Sequence, residues 1–200
     1  MSVKRHHNFK KALLILAAAS LAFAGPKLKS GDPSVIKGEK AFNVEMVWDN
    51  NFDYDGDPFN EYYEKETAKM KKKNETEDLE KFENEWKEWK AESYPDGFSQ
   101  GFNSFLEEKM GITASREKTD AKYTFVIETK ELNPGGMSTA EVNVTVSIVE
   151  TENRSNVIAV IEGIEAGGRL PGPEKVRVQD AYRMAGTVFA RSYLYKKVLK

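Results

Sequence analysis

Residues 140–148 read Ala-Glu-Val-Asn-Val-Thr-Val-Ser-Ile, and residues 157–165 read Val-Ile-Ala-Val-Ile-Glu-Gly-Ile-Glu. In the first stretch Ala140, Val142, Val144, Val146 and Ile148 alternate with Glu141, Asn143, Thr145 and Ser147. A period of two over nine residues predicts a strand with one buried face. Each of its larger apolar side chains, fully buried, contributes about 1.5–3 kcal/mol. The polar run Glu152-Asn153-Arg154-Ser155-Asn156 between the two stretches predicts a hairpin. Upstream, Tyr123, Phe125 and Ile127 alternate in the same way until Asn133-Pro134-Gly135-Gly136 ends the run. Three successive strands with short connections predict an antiparallel meander.

Gly167 to Pro173 is a Gly- and Pro-rich loop that can be neither helix nor central strand. A C-terminal helix is predicted from about Glu174 to Leu199, with Ala181, Tyr182, Ala185, Val188 and Phe189 inward. Ala41 to Asp49 alternates with Phe42, Val44, Met46 and Trp48 on one side, a fourth strand. Between that strand and the meander lies a helical region over about 58–110. Asp57-Pro58 starts it, and Phe82, Trp86 and Trp89 form a stripe at helical spacing. Tyr94-Pro95-Asp96-Gly97 breaks or kinks it and Gly111 caps its end. The expected fold is α+β: a two-layer sandwich whose mostly antiparallel sheet of about four strands is covered on one face by helices.

Composition bounds function. The chain has 200 residues, 30 basic and 32 acidic, and no cysteine. Disulfide scaffolds, thiol catalysis, zinc–thiolate sites and an N-terminal lipid-bearing cysteine are thereby excluded. Lys4, Arg5, Lys10 and Lys11, the apolar run Ala12 to Ala24, and the small residues Ala22 and Ala24 before Gly25 have the three parts of a secretory signal over 1–24. Thirteen apolar residues rise only about 20 Å as a helix, too short to span a bilayer. Both histidines, His6 and His7, fall in this leader. Its removal takes four basic residues from 30, leaving 26 against 32 acidic ones, a net charge of −6. That charge argues against nucleic acid as a partner. The expected compartment is the periplasm, with the outer membrane or the exterior as alternatives, and no transmembrane anchor after cleavage. Residues 25–40, rich in Gly, Pro, Ser and Lys, are expected to be a flexible segment ahead of a single domain over 41–200.

The strands 123–130, 140–151 and 157–166, the segments Trp86-Lys87-Glu88-Trp89, Gly101-Phe102-Asn103-Ser104-Phe105 and Ala121-Lys122-Tyr123-Thr124, and the C-terminal run Tyr193 to Lys200 together resemble uncharacterised exported proteins of Bacteroides-type bacteria. That resemblance covers nearly all of the chain after the leader and carries no activity with it. More remotely, the element order is similar to envelope lipoproteins such as the curli-export lipoprotein and the lipoprotein activators of penicillin-binding proteins. Those act by binding partners, and this chain lacks their lipid-bearing cysteine. The resemblance implies an envelope protein or polymer as partner and a non-catalytic binding or adaptor role.

Among chemical motifs, Asn51, Asp53 and Asp55 occupy positions 1, 3 and 5 of an EF-hand-like loop with Gly56 at position 6. Calcium favours such hard oxygen donors, so Asn51, Asp53, Asp55 and Asp57 are the candidate metal ligands. Position 12 is Tyr62, where a bidentate glutamate is needed, and the competing reading is a polar strand-to-helix connection. Glu128, Glu131, Glu162 and Glu165 lie on or near strands and could pair for acid–base chemistry. With so many carboxylates, chance proximity accounts for any such pair, and no G-x-S-x-G or G-x-G-x-x-G motif accompanies them. The protein is therefore expected not to be an enzyme. Phe82, Trp86 and Trp89 could form a platform for a sugar, though stripes at this spacing are usually core.

Overall fold

The computed structural model describes residues 25–49, 51–136 and 138–200; the expected signal at 1–24 lies outside them. In chain order the elements are β1 (Lys27–Gly31), a short helical turn (Pro33–Ile36), β2 (Ala41–Val47), β3 (Asp53–Tyr54), β4 (Asp57–Pro58), α1 (Phe59–Lys72) and α2 (Thr76–Glu88). A five-residue π-helical turn (Trp89–Ser93) leads into α3 (Tyr94–Met110), followed by β5 (Thr113–Ser115), β6 (Tyr123–Asn133), β7 (Glu141–Glu150), β8 (Val157–Gly167) and α4 (Glu174–Val188). A second π-helical segment (Phe189–Leu199) carries α4 to the C-terminus.

The architecture is α+β as expected, but the sheet is larger than four strands and is mixed. Its order is β1-β8-β7-β6-β2-β5, with β3 on β6 and β4 on β3, eight strands among the described residues. The meander is antiparallel: Phe125 faces Ile148, and Val144 faces Ile164. By contrast β2 runs parallel to both β6 and β5, with Val44 opposite Phe125 and Phe42 opposite Ala114. The physical reason is the connection: strands joined by a long helical crossover return in the same direction. Residues 25–40, expected to be loose, contain β1, antiparallel to β8.

The predicted alternation holds. Val142, Val144, Val146 and Ile148 are all buried, as are Phe42, Val44, Phe125, Ile127 and Ile161 on neighbouring strands. Helices α3 and α4 pack over this face with Phe98, Phe102, Leu106, Val178, Ala181 and Tyr182. Phe125 contacts Phe102 at 5.5 Å and Phe189 at 5.2 Å between ring centroids. Tyr182 and Thr129 share a buried 2.7 Å hydrogen bond that fixes α4 to β6. The opposite face carries Glu45, Val47, Val126, Glu128, Ser147 and Val160, exposed or half-exposed.

Of the break or kink expected at Tyr94-Pro95 there is no break: the helical path is continuous. The π turn has widened the helix, with the Tyr94 N–H bonded to the Trp89 carbonyl. Pro95 directly follows this π turn, whose wider spacing accommodates a residue without an N–H. Gly111 caps α3 as predicted, with φ of 63°. Among the described residues no helix is long and apolar enough to cross a membrane.

Candidate functional site

The site arises where β2 leaves the sheet. Val47 pairs with Glu128 and Asp53 with Glu131, so the register against β6 shifts between these two pairs. That excursion lifts Trp48 and Phe52 out of the strand, their rings 5.5 Å apart. Trp48 also packs on Tyr94 at 6.0 Å and Tyr182 at 6.2 Å, so its position is fixed by the core.

Helices α1 and α2 form a hairpin arm. Along α1 only Phe59 and Thr67 are buried, and along α2 only Trp86. Its root is pinned by aromatic and polar contacts. Phe59 stacks on Phe52 at 4.8 Å and meets Trp86 at 5.0 Å. The Tyr54 hydroxyl donates to Glu174 at 2.9 Å, and Lys175 bridges to Glu88 at 3.0 Å. Burial pushes the Glu174 carboxyl above the usual range, and the Tyr54 bond and the Arg177 charge only partly offset it.

Between the arm and the end of β2 lies a groove of about 530 Å³, within the range of about 300–1,000 Å³ usual for small-ligand sites. Met46, Trp48, Phe59, Tyr63 and Trp86 form its walls, and Asn60, Glu64, Glu83, Lys87 and Lys90 supply polar groups. Lys90 Nζ lies 5.6 Å from the Trp48 ring centroid and 5.3 Å from that of Phe59. Burial pulls the Lys90 ammonium below its usual range. The Tyr63 hydroxyl donates to Glu83 at 3.2 Å. The Trp48 Nε1–H is buried without an acceptor among the described residues.

The stripe Phe82, Trp86 and Trp89 packs as core, the reading its spacing favoured over a sugar platform. Trp86 is 3% exposed and belongs to the core, and Phe82 and Trp89 do not line the groove. Trp48, read from sequence as the last core residue of a strand, is its half-exposed aromatic wall. The available signal was the polar run Asp49-Asn50-Asn51 directly after Trp48, which marks an irregularity and not its shape.

The candidate calcium residues have another role. Asp53 and Tyr54 pair back on Pro58 and Asp57 as a tight hairpin. Its two central residues, Asp55 and Gly56, have φ of 57° and 92°, as the Asp-Gly turn of a two-residue hairpin requires. The Asp53 carboxylate accepts from the Gly56 N–H at 2.7 Å, and Asp49 accepts from the Asn51 N–H at 3.0 Å. The EF-hand-like spacing is thus used for turn geometry. Asp53 and Asp55, without Asn51 or Asp57, line a second cleft of about 430 Å³ with Glu131, Glu141 and Glu165. Glu128 is elsewhere, paired with Lys130 at 2.5 Å, and Glu162 is paired with Lys27 at 3.2 Å. Among the described residues no three Asp, Glu, His or Cys side chains are grouped to hold a metal ion.

Millimolar calcium is accordingly expected to leave the melting temperature within about 1 °C of its metal-free value, because only ligands that prefer the folded state stabilise it. A larger rise, lost in Asp53→Asn, would show that the ion reopens the hairpin and gathers the four candidate ligands.

Neither a protein-family model nor a curated protein sequence matches this chain. Among solved structures it is similar to the PelC dodecamer from Paraburkholderia phytofirmans, with 14% identity and a TM-score of 0.41 over 82% of this chain and 96% of that one. A point variant of the same dodecamer gives 14% identity and a TM-score of 0.37 over 82% and 95%.

Proposed function

We propose that this protein is an exported binding module of the cell envelope, acting in the periplasm by holding an envelope polymer or protein and not by catalysis. The observation that supports this most is the groove beside Trp48: aromatic walls fixed by the core, with polar groups at the rim. Such a mix of apolar surface and a few placed polar groups is the composition of a binding site. The leader features at 1–24 supply the export half of the reading.

The test is cross-linking capture from the native envelope with tagged protein, beside an Asn60→Trp variant. Asn60 is exposed at the groove's edge, so a tryptophan there fills the groove without touching the core. The expected result is one stoichiometric partner or polymer held by the wild type and lost in the variant, on a protein whose N-terminus is Gly25. Capture unaffected by Asn60→Trp would move the binding surface away from the groove, and an N-terminus at Met1 in the cytoplasm would remove the export reading.

A further inference from the structure

We propose that the groove binds an acidic glycan, a short run of pyranose rings bearing carboxylate or sulfate groups, with Lys90 as the residue that selects the charge. This inference rests on the binding-module reading and names the ligand class of the same groove.

Two properties of the groove point to sugar. A pyranose ring has flat C–H faces and a rim of hydroxyls, so it is recognised by aromatic surface together with groups that both donate and accept hydrogen bonds. Trp48 and Tyr63 are half-buried; Trp48 is held by Phe52, Tyr94 and Tyr182 and Tyr63 by Phe59 and Phe82, while the buried Phe59 and Trp86 complete the lining. Around them Asn60 and Glu64 are exposed, and an amide and a carboxylate are suited to vicinal hydroxyls. Tyr and Trp contribute this area at little cost in side-chain entropy.

The charge preference comes from the depth of Lys90. It is half-buried, its ammonium over two aromatic rings, and its ionisation is lowered by burial with no neighbouring charge contributing. A cation held in a partly dry groove acts through a lower effective dielectric than one at the surface, so its pull on an anion is correspondingly stronger. The other charges of the groove are peripheral: Glu64, Glu83 and Lys87 are exposed, and Glu83 already accepts from Tyr63. The acid group of the ligand is therefore directed to Lys90, and its ring faces to the aromatic walls.

The chain reports on this groove without a label. Its 3 tryptophans are Trp48, Trp86 and Trp89; the first two line the groove and the third is 5.8 Å from Trp86. Titrations of the mature protein with hexagalacturonate, a heparin-derived hexasaccharide and cellohexaose, read by tryptophan emission and calorimetry, test the proposal. An acidic hexamer is expected to shift the emission and to bind at least about tenfold more tightly than cellohexaose. Lys90→Gln is expected to erase that difference, the equivalent of losing one charge-assisted hydrogen bond. The two acidic probes separate carboxylate from sulfate as the favoured group.

Lys90→Met serves as the folding control. It keeps the stem that packs on the rings and removes the buried charge, so its melting temperature should equal or exceed that of the wild type. Equal binding of cellohexaose and the acidic hexamers, abolished by Asn60→Trp but not by Lys90→Gln, would overturn the acidic preference and leave the binding module standing. No response to any of the three glycans, with a captured partner still lost in Asn60→Trp, would overturn the glycan assignment alone. If capture also fails to depend on the groove, both readings fall.

Discussion

Gly101→Ala is expected to destabilise the protein by about 3 kcal/mol or more, the upper part of the overpacking range. For a chain of this size that lowers the melting temperature by about 10 °C. A Cβ at Gly101 would stand 1.7 Å from the Arg183 carbonyl oxygen, and one at Gly186 would stand 2.0 Å from that of Phe98. Gly97 is similar, 2.6 Å from the Gln179 carbonyl oxygen. These are backbone atoms of the facing helix, so no side-chain rotation relieves the clash; α3 and α4 must move apart. Separation would loosen Phe98 and Phe102, which reach Phe189 at 6.0 and 6.3 Å. It would also strain the 3.1 Å bond from the Thr187 hydroxyl to the Gly101 carbonyl. Gly136→Ala is the matched control, because nothing lies within 4 Å of its added methyl and its φ is unstrained. Thermal unfolding followed by circular dichroism decides it. A Gly101→Ala transition within about 1 °C of wild type would mean that the two helices do not touch through their backbones.

That contact shows which levels of the fold are legible in sequence. The period of β7 is local, set by the pleat of one strand, and Ala140, Val142, Val144, Val146 and Ile148 are buried as their spacing requires. The four-residue spacing of Gly97 and Gly101 was equally visible, but two glycines in a helix are uninformative until the partner helix is known. Strand direction is also non-local. The meander suggested an antiparallel sheet, and only the helical crossover between β2 and β6 argues for the parallel pair. The strand β1 left no apolar period because all five of its residues are exposed at the sheet edge. Lys27 and Lys29 there are a common device for blunting an edge, and their composition reads as loop. The Asp-Gly pair at 55–56 carried a hairpin signal that its resemblance to a calcium loop obscured. The groove was the least legible feature, since the excursion that frees Trp48 exists only relative to the register of β6.

Asp180→Asn is the second large effect expected, about 2–4 kcal/mol at neutral pH, because a buried charge partner is removed and its donors are left without it. Asp180 is 3% exposed. Its carboxylate accepts from the N–H groups of Arg169 and Leu170 in the loop after β8, and from the Arg183 guanidinium at 2.8 Å. It thus fastens that loop to α4, whose packing covers the sheet. Burial by itself would raise the carboxyl's pKa. The Arg169 N–H, the Arg183 side chain and the Leu170 N–H outweigh burial and hold it below the ordinary value. A carboxyl depressed in the folded state gives stability that is complete above its unfolded pKa of about 3.9 and is lost as pH falls through the folded value. The wild-type advantage over Asp180→Asn should therefore be constant from about pH 5 to 8 and shrink below about pH 4. Urea unfolding at each pH measures both curves, with Arg183→Met as a milder variant that keeps the two backbone donors. Parallel curves down to pH 2 would show that folding leaves the proton affinity of Asp180 unchanged and would overturn the depressed carboxyl, whereas convergence would place an acid-sensitive contact at this junction between loop and helix.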